Sequence, residues 1–425
     1  MSSALAPGQV LSLTIEKPAA GGRMIARTDG QVVLVDGAVP GERVSVRIER
    51  IGRGVAYAQT VAVEAASPDR RPFGDRACGG CLYAHIAYAR QLEIKAMVIA
   101  DAFARIGRVA LPASVQVAAS PPEGYRMRAR LHVRGRRLGF FREGTHEVCD
   151  ARATGQLLPA TCDVLDRIAA TLGQLPVDAV GEIEISENID ASERVVHFEM
   201  LQGGDRPTAR VSSLGGVTGI TVALDASGAL QVVSGSVYLT DVIHIRDHAP
   251  LVIRHHALAF FQGNRFLLAN LIAHVVDQVP AGSRTVDLYA GGGAFAVAAA
   301  RLRQAHVTAV EGDRLAAEDL AANAASAGSM VVPIHESVEL FTLAAPKGPD
   351  VIIVDPPRTG MSRLALQGIV TLGGARIVYV ACDIATLARD ARRIVDAGYD
   401  IRRVDAFDLF PNTPHVEVVV LFDRA

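Results

Sequence analysis

Thr285-Val286-Asp287-Leu288-Tyr289-Ala290-Gly291-Gly292-Gly293-Ala294-Phe295-Ala296 passes from a β-prone run through a glycine turn into an alanine-rich stretch. That is the layout of a strand, a tight loop and a helix. Glycines at 291 and 293 let a backbone turn sharply and approach a ligand where a Cβ would collide. Working outward, apolar strands recur at Val307–Glu311, Val351–Asp355 and Arg376–Val380, with helical segments such as 315–325 between them. This alternation predicts a doubly wound, largely parallel α/β sheet over residues 251–425. Ligands of such sheets sit beyond the carboxyl ends of the strands. Asp287, Glu311 and Asp355 fall at strand ends, and Cys382 stands where the run Ile377-Val378-Tyr379-Val380-Ala381 stops.

The front of the chain has another texture. Between residues 11 and 66, short β-prone runs alternate with turn pairs such as Asp36-Gly37, which predicts a small β-barrel over residues 1–68. Asp69-Arg70-Arg71-Pro72-Phe73-Gly74 reads as a boundary. A β-rich central domain is expected over 69–250, with a helix at about 88–106 that packs on the C-terminal domain. Arg126, Arg128, Arg130 and Arg134 alternate with Met127, Ala129, Leu131 and Val133, a strand with one cationic and one apolar face. An arginine ladder suits a nucleic-acid backbone, and a solvated sheet face would look the same. Residues 1–150 carry 21 Lys and Arg against 14 Asp and Glu, and the remainder 22 against 31. A front half at +7 joined to a back half at −9 points to a polyanion-binding module attached to something else. Five cysteines with one close pair argue for reduced thiols. No apolar run approaches the roughly 18 residues that span a bilayer, and Met1–Val10 lacks a signal-peptide pattern. A cytoplasmic enzyme without membrane contact is expected.

The spacing Gly291-x-Gly293-x-x-Ala296, with Glu311 closing the next strand, satisfies a dinucleotide fingerprint and also suits S-adenosyl-L-methionine. Asp287 ahead of the glycines turns a carboxylate toward a cationic ligand, which favours the sulfonium compound. Asp355-Pro356-Pro357-Arg358-Thr359-Gly360 is stiffened by its prolines. Methyltransferases acting on exocyclic amines end such a loop with an aromatic residue, and Arg358 there implies a different target atom.

Phe260-Phe261-Gln262-Gly263-Asn264, Asp287-Leu288-Tyr289-x-Gly291-x-Gly293, Val310-Glu311-Gly312-Asp313, Asp355-Pro356-Pro357-Arg358-x-Gly360, Tyr379-Val380-Ala381-Cys382 and Phe410-Pro411-Asn412-Thr413-Pro414-His415-Val416-Glu417 occur in that order. Together they resemble the S-adenosylmethionine-dependent RNA (uracil-5-)-methyltransferases, and the N-terminal barrel resembles that family's TRAM domain. The resemblance implies a Rossmann-like methyltransferase domain that binds S-adenosyl-L-methionine through Gln262, Tyr289, Glu311 and Asp355, beside Asp287, Gly291 and Gly293. It implies Cys382 as nucleophile and Glu417 as base, with Arg126, Arg128 and Arg358 toward RNA. The barrel favours 23S ribosomal RNA as substrate over tRNA, and a monomer is expected. Two other readings stand beside it: a catalytically impaired RNA-binding or assembly factor, and a nicotinamide-dependent oxidoreductase resting on the glycine spacing alone.

Two departures matter. The family usually has Ser-Cys-Asn-Pro around its nucleophile, whereas this chain has Ala381-Cys382-Asp383-Ile384. A carboxylate at 383 is expected to raise the thiol pKa unless a cation such as Arg358 offsets it. Barrel-bearing members often hold an iron-sulfur cluster on four cysteines. Cys78 and Cys81 match half of that signature, but Pro72 and Thr154 stand near the other two positions, and Cys149 and Cys162 are wrongly spaced. An intact cluster is not expected.

Overall fold

The computed structural model describes residues 5–175, 179–201, 211–212, 214–223 and 230–425. The C-terminal region is built on an eight-stranded sheet in the order Val331–His335, His306–Glu311, Arg284–Leu288, Val351–Val354, Arg376–Ala381, Glu417–Arg424, Tyr399–Phe407, Gln116–Ala118. The first five strands are mutually parallel, and Glu417–Arg424 is antiparallel to both of its neighbours. Val351–Val354 and Ile377–Ala381 are buried throughout, which is why they read as unbroken apolar runs. Chain order reverses between Arg284–Leu288 and Val351–Val354, the switch point beside which such sheets take their ligands at the strands' carboxyl ends.

Helices cover both faces. Leu268, Leu271, Ile272 and Val275 of Leu268–Val276 join one core, and Leu387, Ala388, Ala391 and Ile394 of Ile384–Asp396 join the other. Spacings of three and four residues give each helix one apolar stripe. The helix Tyr88–Ala102 continues as a π-helical turn, Phe103–Gly107, and Ile99 and Phe103 lie in the same core as Tyr379 and Leu387. Residues 88–118 thus sit on and complete the C-terminal sheet. The hairpin Tyr238–Ile243/Leu251–His256 spans residue 250, where the sequence had placed a boundary.

Six strands between Val10 and Ala65 enclose a separate apolar cluster that includes Val33, Val46 and Ala58. A seven-stranded central sheet holds the arginine row, with two corrections. Its strand is Arg128–Arg134, and Arg126 lies ahead of it in an isolated bridge to Asn264. The row is not an open ladder either. The neighbouring strand Val180–Glu187 sets Glu184 opposite Arg130 and Glu182 opposite His132. Arg130 donates to Glu184 at 3.2 Å, and Arg128 donates to Glu184 and to the carbonyls of Leu258 and Ala259. No helix among the described residues is long and apolar enough to cross a membrane.

The cysteines also differ from expectation. Cys78 and Cys149 are joined in a disulfide with a Cα–Cα distance of 5.8 Å, so these two are not reduced thiols. Chain separation hid their proximity, because the loop before Gly79 docks on Phe141 of the strand that pairs with Val148–Cys149. Thr154 is buried, its hydroxyl donating to the Ala151 carbonyl.

Candidate active site

The strand Arg376–Ala381 pairs with Glu417–Arg424 in a register that ends on Ala381 opposite Val418. One step further sets Cys382 opposite Glu417. Opposed residues of an antiparallel pair project to one face with Cβ atoms about 5 Å apart. Thiol and carboxyl therefore stand side by side, Cys382 half-buried and Glu417 only 2% exposed.

Asp383 has a further role beside the thiol. It is the N-cap of Ile384–Asp396, where its carboxylate accepts from the Thr386 N–H at 2.8 Å. Asp is among the best N-caps, so this carboxylate is spent on the helix it precedes. Ile384 takes the first helical position, which needs no free N–H and tolerates proline equally. Cys382 precedes the cap, at the positive end of the helix dipole. Its thiol is pushed up to about 11 by burial, then by Glu417 and Asp355, while Arg358 opposes through charge and a hydrogen bond.

Arg358 is aimed by its loop. The Met361 N–H donates to buried Asp390 at 3.2 Å, and Asp390 also accepts from the Tyr379 hydroxyl at 3.0 Å. Gly360 has φ +73° and lies against Thr386 and Arg389, leaving no room for a side chain. The loop is thus pinned to the helix that follows Cys382. Arg126, half-buried and near Arg358, donates to the Arg128 carbonyl at 2.8 Å and to Gln156 Oε1 at 2.6 Å. Among the described residues neither Arg126 nor Arg358 has a carboxylate partner within ion-pair distance. Arg128, in contrast, is committed to Glu184.

The opposite wall is acidic. Asp287 is fully buried, and neither carboxyl oxygen meets a hydrogen bond of normal geometry, although the Ala296 N–H lies close enough to favour its charged form. Burial, then Asp355, raises Asp287 well above the usual carboxylate range. Asp355 is pushed up to about 7 by burial against a 3.4 Å hydrogen bond from Gln262. Glu417 is raised well above its ordinary value by burial, then by Asp355, with Arg358 opposing. Glu311 accepts from the N–H groups of Gly291 and Asp313, each at 2.7 Å. Gly291 has φ +54° and open space where a Cβ would stand, whereas a Cβ on Gly293 would lie 2.6 Å from Leu320. Tyr289, a non-glycine residue at φ +60°, carries the backbone strain typical of functional loops.

Carboxyls that raise one another's pKa around an open glycine loop are mismatched to an anionic pyrophosphate and matched to a cation. The orphaned oxygens of Asp287 and the space at Gly291 fit S-adenosylmethionine, with its sulfonium and ammonium charges. Asn323 escaped the sequence reading. Its amide donates to the Gly292 carbonyl at 2.8 Å and clasps both backbone groups of Arg254, fixing the glycine loop to the strand Leu251–His256. A buried asparagine in an alanine-rich helix was the available signal, since such a group needs partners.

The titration of Asp355 has a measurable consequence. An unfolded aspartate loses its proton near 4, so between that value and about 7 the folded chain binds more protons than the unfolded one. This contribution makes stability fall as pH rises through that window. Asp355→Asn removes it. By thermal melting without ligand, the variant should gain on wild type as pH goes from 4 to 8, while its Kd for S-adenosylmethionine rises about tenfold or more. A difference in melting temperature that does not change with pH contradicts the raised carboxyl.

The cysteine set does not fit a four-iron cluster. Cys78 and Cys149 are bonded to each other, Pro72 offers no ligand, and of the neighbouring thiols only Cys81 and Cys162 stay free, two where four are needed. Burial pushes Cys81 up to about 12, the reverse of what a thiolate ligand needs.

Known proteins align with this architecture. The TRAM domain family model matches residues 5–61, and the tRNA (Uracil-5-)-methyltransferase model matches residues 220–425. The chain is 32% identical to the 23S rRNA (uracil(1939)-C(5))-methyltransferase RlmD of Methylococcus capsulatus, over 98% of each chain. It is 33% identical to the RlmD of Acidithiobacillus ferrooxidans, over 95% of each. Among solved structures, the Pyrococcus abyssi tRNA (uracil-54, C5)-methyltransferase with S-adenosyl-L-homocysteine superposes with a TM-score of 0.75 at 23% identity, over 96% of this chain and 99% of that one. The chain thus belongs to the S-adenosylmethionine-dependent RNA (uracil-5-)-methyltransferase family, and its cofactor is S-adenosylmethionine.

Proposed function

We propose that this enzyme methylates C5 of a uridine in 23S ribosomal RNA by way of a covalent bond between Cys382 and C6 of the ring. The observation that carries the reading is the opposition of Cys382 and Glu417 across one strand register, between the acidic crevice and the unpaired guanidiniums of Arg126 and Arg358. Uracil C5 is too weak a nucleophile to take a methyl group directly, and a thiolate added at C6 pushes electron density onto it. S-adenosylmethionine supplies the electrophilic methyl group. Arg358 favours the thiolate, and the helix dipole adds to it. Glu417 then removes the C5 proton, the C5–C6 double bond re-forms, and the Cys382 sulfur leaves. Positive charge standing against Asp355 lowers the penalty for ionising both Cys382 and Glu417, which ties their readiness to a loaded crevice. Arg126 and Arg358 hold the extruded nucleotide by its phosphate or carbonyls, with Arg128 supporting the segment that bears Arg126. Extrusion costs about a few kcal/mol and is cheapest from a loop.

Full-length similarity to RlmD relatives and the TRAM barrel support 23S RNA over tRNA, and this substrate carries a cytoplasmic location with it. Purified protein with labelled S-adenosylmethionine should label 23S fragments and not tRNA transcripts. Mass-spectrometric mapping should find one 5-methyluridine missing from ribosomal RNA when the gene is deleted. Label in tRNA alone rejects the ribosomal assignment, and tight RNA binding without transfer favours an assembly factor.

A further inference from the structure

We infer that Gln91 and Lys95, one turn apart on the helix Tyr88–Ala102, are positioning residues for the proton-abstraction half of the reaction. This rests on Glu417 as the base. Glu417 is reached through the connection 408–416, which crosses from the strand Tyr399–Phe407 to the strand Glu417–Arg424. Such a connection would ordinarily be loose. Here it is gripped at residues 408 and 412 by two residues with the same four-residue spacing on one helix face.

Gln91 is fully buried. Its Oε1 accepts from the Asn412 N–H at 2.9 Å, and its Nε2 donates toward Asn412 Oδ1 at 3.0 Å and the carbonyls of Tyr83 and Ile86. Arg71 reaches the same Asn412 oxygen at 2.6 Å. This two-point clasp holds Asn412 at φ +65°, a conformation the loop would otherwise rarely adopt. Lys95 makes a buried ion pair with Asp408 and donates to the Phe410 carbonyl at 3.2 Å. Outside groups hold the rest of the segment: Asn264 the Leu409 carbonyl, Tyr125 the Pro411 carbonyl, and the Tyr83 N–H the Asn412 carbonyl.

The other end of this helix reaches the nucleophile. Its Phe103–Gly107 turn abuts Ile384–Asp396, close enough that a Cβ on Gly107 would lie 2.9 Å from the Ala388 carbonyl. One element therefore references both the thiol helix and the base loop. Cys382 sits between the end of the strand Arg376–Ala381 and the Asp383 cap, neither of which rests on the 408–416 segment, whereas Glu417 is the first strand residue after it, so slack there displaces Glu417 and leaves the thiol in place.

Single-turnover assays with Gln91→Leu, and separately with Lys95→Met/Asp408→Leu, which leaves no unpaired buried charge, resolve the two halves. Covalent protein–RNA adduct is followed on denaturing gels beside 5-methyluridine product. Adduct formation should stay within about threefold of wild type, while its resolution slows between about 10-fold and 100-fold, the scale of a 1 Å misplacement. Formation and resolution falling together, or product at the wild-type rate, overturns the inference. Glu417→Gln runs in parallel. If it accumulates adduct and these variants do not, positioning alone fails; if it accumulates none, the reading of the base fails and this inference with it.

Discussion

Cys382→Ala should abolish methyl transfer to RNA, lowering label incorporation by about 10⁴-fold or more, the scale reached when a covalent nucleophile is removed. The loss should be confined to chemistry. Cys382 lies on the opposite side of Asp355 from Asp287 and the glycine loop in strand order, and its neighbours Glu417 and Arg358 keep their backbone supports. Calorimetric affinities for S-adenosylhomocysteine and for RNA should therefore stay within about threefold of wild type. Wild type supplies a second readout. With its thiol raised to about 11, only a minor fraction is thiolate near neutrality, so adduct formation should accelerate as pH rises toward that value. Methyl transfer surviving in the alanine variant rejects covalent catalysis through Cys382.

The sequence disclosed this site unevenly, for physical reasons. Asp287, Gly291 and Gly293 were readable because strand, turn and helix preferences act over a few residues, and the structure has the strand at Arg284–Leu288 and the helix from Ala294. Cys382 and Glu417 could each be set at a strand end, but their opposition depends on an antiparallel strand inserted beside Arg376–Ala381, which no local pattern encodes. Lys95 and Asp408 are 313 residues apart and carry no periodic signal for their pairing. Asp383 was read incompletely. Asp383-x-x-Thr386 ahead of a periodic apolar run is a capping signal, and weighing its charge alone missed that the oxygen is spent on a backbone N–H. The arginine row failed for a similar reason. Period-two spacing defines a face, but whether the face is free depends on the acids at 182 and 184 of the partner strand. Cys149 met Cys78 only through the pairing of its strand.

Glu417→Gln should convert the enzyme from a catalyst into a trap. Glutamine keeps the size of the side chain, and the pairing of residue 417 with Phe407 is main-chain, so the strand should form unchanged. The first half of the reaction is spared or helped, because Glu417 is one of the groups that raise the Cys382 thiol and an amide carries no charge to do so. On the proposed mechanism the second half loses its proton acceptor. General-base loss costs about 10²- to 10⁴-fold, and all of it falls on elimination. Incubation with S-adenosylmethionine and substrate RNA should build a denaturant-stable complex approaching one RNA per protein, already bearing the methyl group on C5. Methylation before trapping orders the steps, since an adduct lacking the label would mean that the variant stalls at methyl transfer and that Glu417 acts before proton removal. A variant that forms no adduct, or resolves it at the wild-type rate, removes Glu417 from the chemistry and leaves its raised carboxyl as the consequence of burial beside Asp355 alone.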